Sequence, residues 1–164
     1  MFFYQPPFGS DAPGDLAAIS PDTGARRWTA RFPGSGAGFA LDDDHVFATP
    51  NTNRTPMLHA YDVDGCGTVT CAPAWQGTAD TGESGLTPTV AGDVVYVPTR
   101  QGTIHAFAAD GCGPSSTCAP IASIDSGLGD DFSAMSVSGG RLFVVAYTTG
   151  LSYTVTAFAP IAAP

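Results

Sequence analysis

The sequence predicts an all-β chain of four-stranded antiparallel sheets, stacked as the blades of a β-propeller whose ring is incomplete. Three observations predict it. First, a pattern returns every 46 or 47 residues: Cys66 recurs as Cys112, Leu58-His59-Ala60-Tyr61 as Ile104-His105-Ala106-Phe107, and Trp28 as Trp75. A period of that size, filled with short β-like runs, is how blade-by-blade repetition looks in sequence. Second, no segment keeps helical periodicity beyond about one turn. Third, both alternating faces of the repeated runs carry apolar atoms, so each sheet needs a neighbour on either side, which radial stacking supplies.

With the strands of a blade lettered A to D, the chain reads as one domain, 1–164, in four units. The first (1–33, incomplete) offers B, C and D as Phe2-Phe3-Tyr4-Gln5, Leu16-Ala17-Ala18-Ile19 and Arg27-Trp28-Thr29-Ala30. The second (34–80) holds Phe39-Ala40-Leu41, His45-Val46-Phe47-Ala48, Met57 to Tyr61, and Pro73-Ala74-Trp75. The third (81–126) holds Thr87 to Val90, Val94 to Val97, Thr103 to Phe107, and Pro120-Ile121-Ala122. The fourth (127–164, incomplete) holds Ala134 to Val137, Arg141 to Val145, and Tyr153 to Phe158. Asp42-Asp43-Asp44, Ala91-Gly92-Asp93 and Ser138-Gly139-Gly140 supply the polar or Gly-bearing A–B turns. Tyr61, Phe107 and Phe158 are expected to fill one interblade space, and Ala60, Ala106 and Ala157 to allow close approach on the other side. Since both end blades lack a strand, the expected partners are further blades in the same protein or a second copy of the chain.

The composition is that of an ordered protein: 43% hydrophobic and 13% charged, against roughly 25% charged in a typical domain. No run approaches the ~20 apolar residues of a membrane span. Net charge is −9, with six Arg, no Lys and Glu83 as the one glutamate. That balance disfavours nucleic acid and anionic membrane as partners.

Cys66 and Cys71, like Cys112 and Cys118, form a tight pair that follows Asp-Gly and precedes Ala-Pro. Three readings stay open: a disulfide within each loop, a four-thiolate zinc site, or free thiols. The disulfide reading leads, because zinc pairs favour shorter spacing and these pairs fall on separate blades. It implies an oxidising compartment, extracellular, cell-surface or periplasmic. Met1 to Pro7 has no basic start and no apolar stretch of signal-peptide length, so the chain is expected to be a segment of a larger exported protein.

Leu16-Ala17-Ala18-Ile19-Ser20-Pro21-Asp22-Thr23-Gly24-Ala25-Arg26-Arg27-Trp28 resembles the repeat signature of pyrroloquinoline-quinone-like β-propellers: an apolar-x-Ala-apolar strand, an Asp, then Thr-Gly and a Trp four residues on. The frame recurs from Leu58 to Trp75 and from Ile104, with Ile121 at the Trp position. The resemblance implies a Trp that docks between adjacent blades. It also implies one of two functional classes, quinone-dependent alcohol or sugar dehydrogenases or non-enzymatic scaffolds such as the propeller of the outer-membrane β-barrel assembly machinery. The dehydrogenases use pyrroloquinoline quinone with calcium, and their constellation cannot be mapped onto this sequence. No cofactor, metal or catalytic residue is therefore assigned.

Among candidate chemical groups, His59 and His105 share one strand-C position in successive units, which reads as structural. His45 reads as a solvated edge residue. Asp62-Val63-Asp64-Gly65 lacks the further acids of a calcium loop and reads as a turn, as does Asp42-Asp43-Asp44. The Gly34 to Gly38 run precedes no helix, so it is a loop rather than a phosphate cradle. If the module binds a protein or a glycan, the D–A and B–C loops would carry it, through Asn51, Asn53, Arg54, Asp80, Glu83, Arg100, Gln101, Asp130 and Asp131. The reading reached is a non-catalytic scaffold or binding module; the alternatives are a dehydrogenase fragment and a carbohydrate-binding propeller.

Overall fold

The computed structural model describes residues 2–5, 14–32, 35–51, 56–79, 86–128, 132–148 and 152–159. Regular structure among them is all β-strand. The first sheet contains β1 (Phe2–Gln5), β2 (Gly14–Ile19) and β3 (Arg26–Phe32); the second contains β4 (Ser35–Leu41), β5 (His45–Asn51) and β6 (Leu58–Asp62). Between β6 and the second sheet's next strand, β8 (Trp75–Gly77), comes the two-residue β7 (Thr70–Cys71). The third sheet contains β9 (Thr89–Ala91), β10 (Val94–Pro98) and β11 (Thr103–Ala108), then, after the two-residue β12 (Thr117–Cys118), β13 (Ala122–Asp125). The fourth contains β14 (Phe132–Ser138), β15 (Arg141–Thr148) and β16 (Ser152–Phe158).

Consecutive long strands of each sheet pair antiparallel, giving up-and-down sheets. The β4–β5 link shows why the sequence turns there. Asp42 Oδ1 accepts the N–H of Asp44 at 2.9 Å and of His45 at 2.6 Å, so an acidic side chain closes its own turn.

The core lies between sheets, because side chains alternate across each strand. On β6, Leu58 and Ala60 face the third sheet, packing with Phe47 and Trp75 against Val95, Val97 and Phe107. Tyr61 faces the first sheet, packing with Val46 and Ala48 against Leu16, Ala18, Trp28 and Ala30. A third cluster joins Val94, Tyr96, Ile104 and Ala106 to Leu142 and Val144, with Phe158 at its margin. The second and third blades are thus buried on both faces. Each large side chain so buried is worth about 1.5–3 kcal/mol, and none of that exists for a blade alone.

Two features depart from the sequence reading. The sheets are not purely antiparallel: β7 pairs in parallel with β3, and β12 with β8. Each short strand comes from the cysteine-bearing loop of one blade and extends the outer edge of the preceding blade. The last strand of the third blade also starts later than Pro120. Register pairs Ala18 with Trp28, Ala60 with Trp75 and Ala106 with Ala122. Ala122, and not Ile121, therefore occupies the Trp position, and Ile121 is 40% exposed. The cause is loop length: Cys112 and Cys118 are six positions apart where Cys66 and Cys71 are five, which shifts the strand by one residue.

Candidate functional site

The chemistry-bearing residues converge at the seams between blades, where a Trp, a Gly and a cystine form one repeated device. Cys66 is joined to Cys71 and Cys112 to Cys118, with Cα separations of 5.6 and 5.5 Å that suit a disulfide. The zinc and free-thiol readings are set aside, since no cysteine among the described residues is free. Each closed loop presents its end to the blade before it. The Thr29 N–H donates to Val69 O at 2.8 Å, and at the next seam Gln76 N–H donates to Ser116 O and Thr78 N–H to Cys118 O, both at 2.9 Å.

Beneath this backbone clasp sits the Trp of the preceding blade. Gly65 lies at φ 88° and Gly111 at φ 80°, a region open to Gly and costly for other residues. A Cβ on Gly65 would stand 2.5 Å from Trp28 Cδ1, and one on Gly111 3.0 Å from Trp75 Cδ1. Glycine is required twice over, for the turn and for the indole seated on it. Trp28 Nε1 donates to Val63 O at 3.0 Å, whereas Trp75 Nε1 is buried with no hydrogen-bond partner among the described residues. Arg27 and Asp64 approach to 3.6 Å across the first seam, but both are well exposed, so the pair adds little.

A shallow cavity of about 290 Å³ opens at this seam, lined by Arg27, Trp28, Asp64 and the Gly65–Val69 loop. Its charged side chains, Arg27 and Asp64, are solvated. It has the character of a groove beside a clasp.

The two strand-C histidines are buried and bond to the outer strand of their own sheet. His59 Nδ1 accepts from Gln76 Nε2 at 3.2 Å, and His105 Nδ1 meets Ser123 Oγ at 2.8 Å. They tie C to D in each blade, and neither belongs to a cluster of three His, Cys, Asp or Glu among the described residues. Burial lowers the His59 pKa from 6.5 to about 4. The folded state thus holds a neutral ring while the unfolded chain takes up a proton below pH 6.5, so stability falls as pH drops from 6.5 to 4 and the loss is complete below 4. Urea unfolding at pH 7.5 and pH 4 is expected to differ by up to about 3 kcal/mol from this group, and His59→Gln is expected to flatten that slope. His45 is not a solvated edge residue: its side chain is 14% exposed and lies 3.9 Å from both Asp42 and Asp62. Asp42 lies in the β4–β5 turn, and Asp62 ends β6 as the register partner of His45.

Of the loop residues named from sequence, Arg100 and Gln101 are exposed at the β10–β11 turn, and Asn51 ends β5. Asn53, Arg54, Asp80, Glu83, Asp130 and Asp131 lie outside the described residues. Among the described residues no three His, Cys, Asp or Glu side chains cluster as a metal site, and no helix is long and apolar enough to cross a membrane. The inner strands β4, β9 and β14, which approach one another across the sheets, carry no ionisable residue. A tricarboxylate quinone held with a divalent cation needs cationic and carboxylate partners along that axis. The residues of these strands do not fit it.

A family model described as outer membrane protein assembly factor BamB matches residues 12–112, more than half of the chain. No curated protein matches the chain. Among solved structures, BamB from Moraxella catarrhalis is similar at TM-score 0.58 and 20% identity, over 92% of this chain and 43% of that one. The computationally designed protein Ika8 is similar at TM-score 0.59 and 11% identity, over 88% of this chain and 42% of that one. The designed protein Ika4 is similar at TM-score 0.59 and 9% identity, over 90% of this chain and 85% of that one. At these identities the likeness shows the fold. The chain spans about two fifths of the length of Ika8 and of the Moraxella protein.

Proposed function

From a chain that belongs to the family of the outer membrane protein assembly factor BamB, we propose a non-catalytic β-propeller scaffold that works within a larger ring and binds a protein partner through its loops. The observation that carries this is the inner surface. Strands β4, β9 and β14 offer Gly, Ala, Ser, Thr and apolar side chains where a cofactor enzyme would place charged groups. Sheets buried on both faces and clasped at the seams make a rigid platform, and on such a platform recognition falls to the loops. The family description as an assembly factor favours a protein ligand over a glycan. The two disulfides favour an exported protein, extracellular or periplasmic.

The rival is a quinone-dependent dehydrogenase. With pyrroloquinoline quinone and calcium added to the purified protein, the expected result is no protein-bound quinone absorbance after dialysis and no dye reduction with alcohols or sugars. Stoichiometric retention of the quinone, or substrate-dependent dye reduction, would overturn the scaffold reading.

A further inference from the structure

The two cystine loops repeat one device, so the places where they differ are informative. In each, the first cysteine is exposed and the second is buried, Cys71 at 6% and Cys118 at 3% exposure. A thiol in solution therefore reaches Cys66 or Cys112, and attack on that sulfur expels the buried partner as a thiolate. Burial among apolar side chains opposes the departure. At the first seam a donor offsets that opposition: the Cys66 N–H donates to Cys71 Sγ at 3.1 Å. The second seam lacks the equivalent bond among the described residues. Its sulfur contacts run instead from Cys112 Sγ to the carbonyl oxygens of Ser115 and Thr117, at 3.7 and 3.4 Å.

The approach differs as well. Cys66 opens onto the groove of the first seam, which Arg27 and Asp64 also line. The two side chains lie 3.6 Å apart, so Arg27 compensates Asp64 and an arriving anion meets no net negative charge. At the second seam, the step of 47 that carries Trp28 to Trp75 puts Ala74 where Arg27 stands. Asp110 keeps the place of Asp64 there, exposed and two residues before Cys112. A thiolate nearing Cys112 is repelled by that carboxylate. Geometry and charge thus single out the first cystine for exchange, and leave the second as a fixed brace.

We infer that Cys66 is a modification site for small anionic thiols. The incoming thiolate forms a bond to Cys66 Sγ and the Cys66–Cys71 bond breaks. Its electron pair leaves on Cys71 Sγ, which the Cys66 N–H stabilises. No net oxidation or reduction occurs, and return of the Cys71 thiolate to Cys66 Sγ expels the small thiol again. While the adduct is present the Gly65–Cys71 loop is open. The first seam then keeps the backbone bond from Thr29 N–H to Val69 O but not its covalent brace, and the second seam stays closed.

The test incubates the folded protein with reduced glutathione at mildly alkaline pH, followed by acid quench, alkylation and peptide mass mapping. The expected first product carries one glutathione on Cys66 and an alkyl group on Cys71. It is expected to form at least about tenfold faster than any adduct on Cys112, the size of effect a hydrogen bond to a charged group supports. In urea most of that preference is expected to vanish, which assigns it to the fold. Arg27→Ala is expected to slow glutathione about fivefold, the effect of one unit charge at 4 Å in water, with the circular dichroism unchanged. The same substitution is expected not to slow cysteamine, a cationic thiol. Arg27→Gln serves if Arg27→Ala does not fold. Equal rates at Cys66 and Cys112, a first adduct on Cys71 or no adduct on the folded protein would overturn the proposal. So would an undiminished preference in urea, or equal slowing of the two thiols by the Arg27 substitution.

Discussion

Replacement of Trp75 by Ala is expected to destabilise the protein by about 3–5 kcal/mol, the range for removing a large aromatic from a packed core. The indole is 4% exposed and sits between two blades, with ring centroids 6.0 Å from Phe47 and 6.5 Å from Phe107. Neither blade can collapse into the void without parting from the other, because the cystine-loop clasp holds their outer edges in register. Trp28→Ala is expected to fall in the same range. The two differ in their phenylalanine variants. Trp28→Phe loses the bond from Nε1 to Val63 O, worth about 1 kcal/mol. Trp75→Phe gives up a buried N–H that has no partner among the described residues, so it is expected to cost less despite the smaller ring. Urea midpoints at constant m-value check the order.

Gly65→Val is the second large effect, expected at about 3–5 kcal/mol from a β-branched residue held at positive φ plus overpacking. The new Cβ would meet the Trp28 ring at 2.5 Å, and that ring is fixed by its own hydrogen bond. Gly67 provides the control. It has φ 77° and nothing within 4 Å of a built Cβ, so Gly67→Val carries the backbone cost without the collision. The difference between the two variants isolates the contact between blades. Equal destabilisation would mean the indole yields freely, contrary to a tightly seated seam.

Much of this is legible in the sequence because repetition at a fixed period reports on strands that share an environment. The runs around Val46, Leu58, Val95 and Ile104 form strands in the order their alternation implies, and Tyr61 and Ala60 face opposite neighbours. The cystines are legible from their shared Asp-Gly and Ala-Pro flanks. The parallel clasps are not, since β7 and β12 have two residues each and show no alternation. Their partners lie about 40 residues earlier in the chain, and only the stacking of blades brings them together. The Ala122 position does carry a signal: the step of 47 from Trp28 to Trp75 lands, when repeated, on Ala122. Chemistry follows the same division. His59 and His105 obey the repeat and are structural, whereas His45 draws its environment from the Asp42 turn and from Asp62, its register partner on β6.

The central claim is that the second and third blades are each locked by the indole of the blade before, seated on a glycine beneath a cystine-closed loop. A double-mutant cycle on Trp28→Ala and Gly65→Ala tests it most directly. With the indole present, the added methyl collides; once the indole is truncated, only the backbone cost of a non-Gly residue at positive φ remains. Gly65→Ala is therefore expected to cost at least about 1 kcal/mol less in the Trp28→Ala background than in the unmodified protein. Additive effects of the two substitutions would contradict the account.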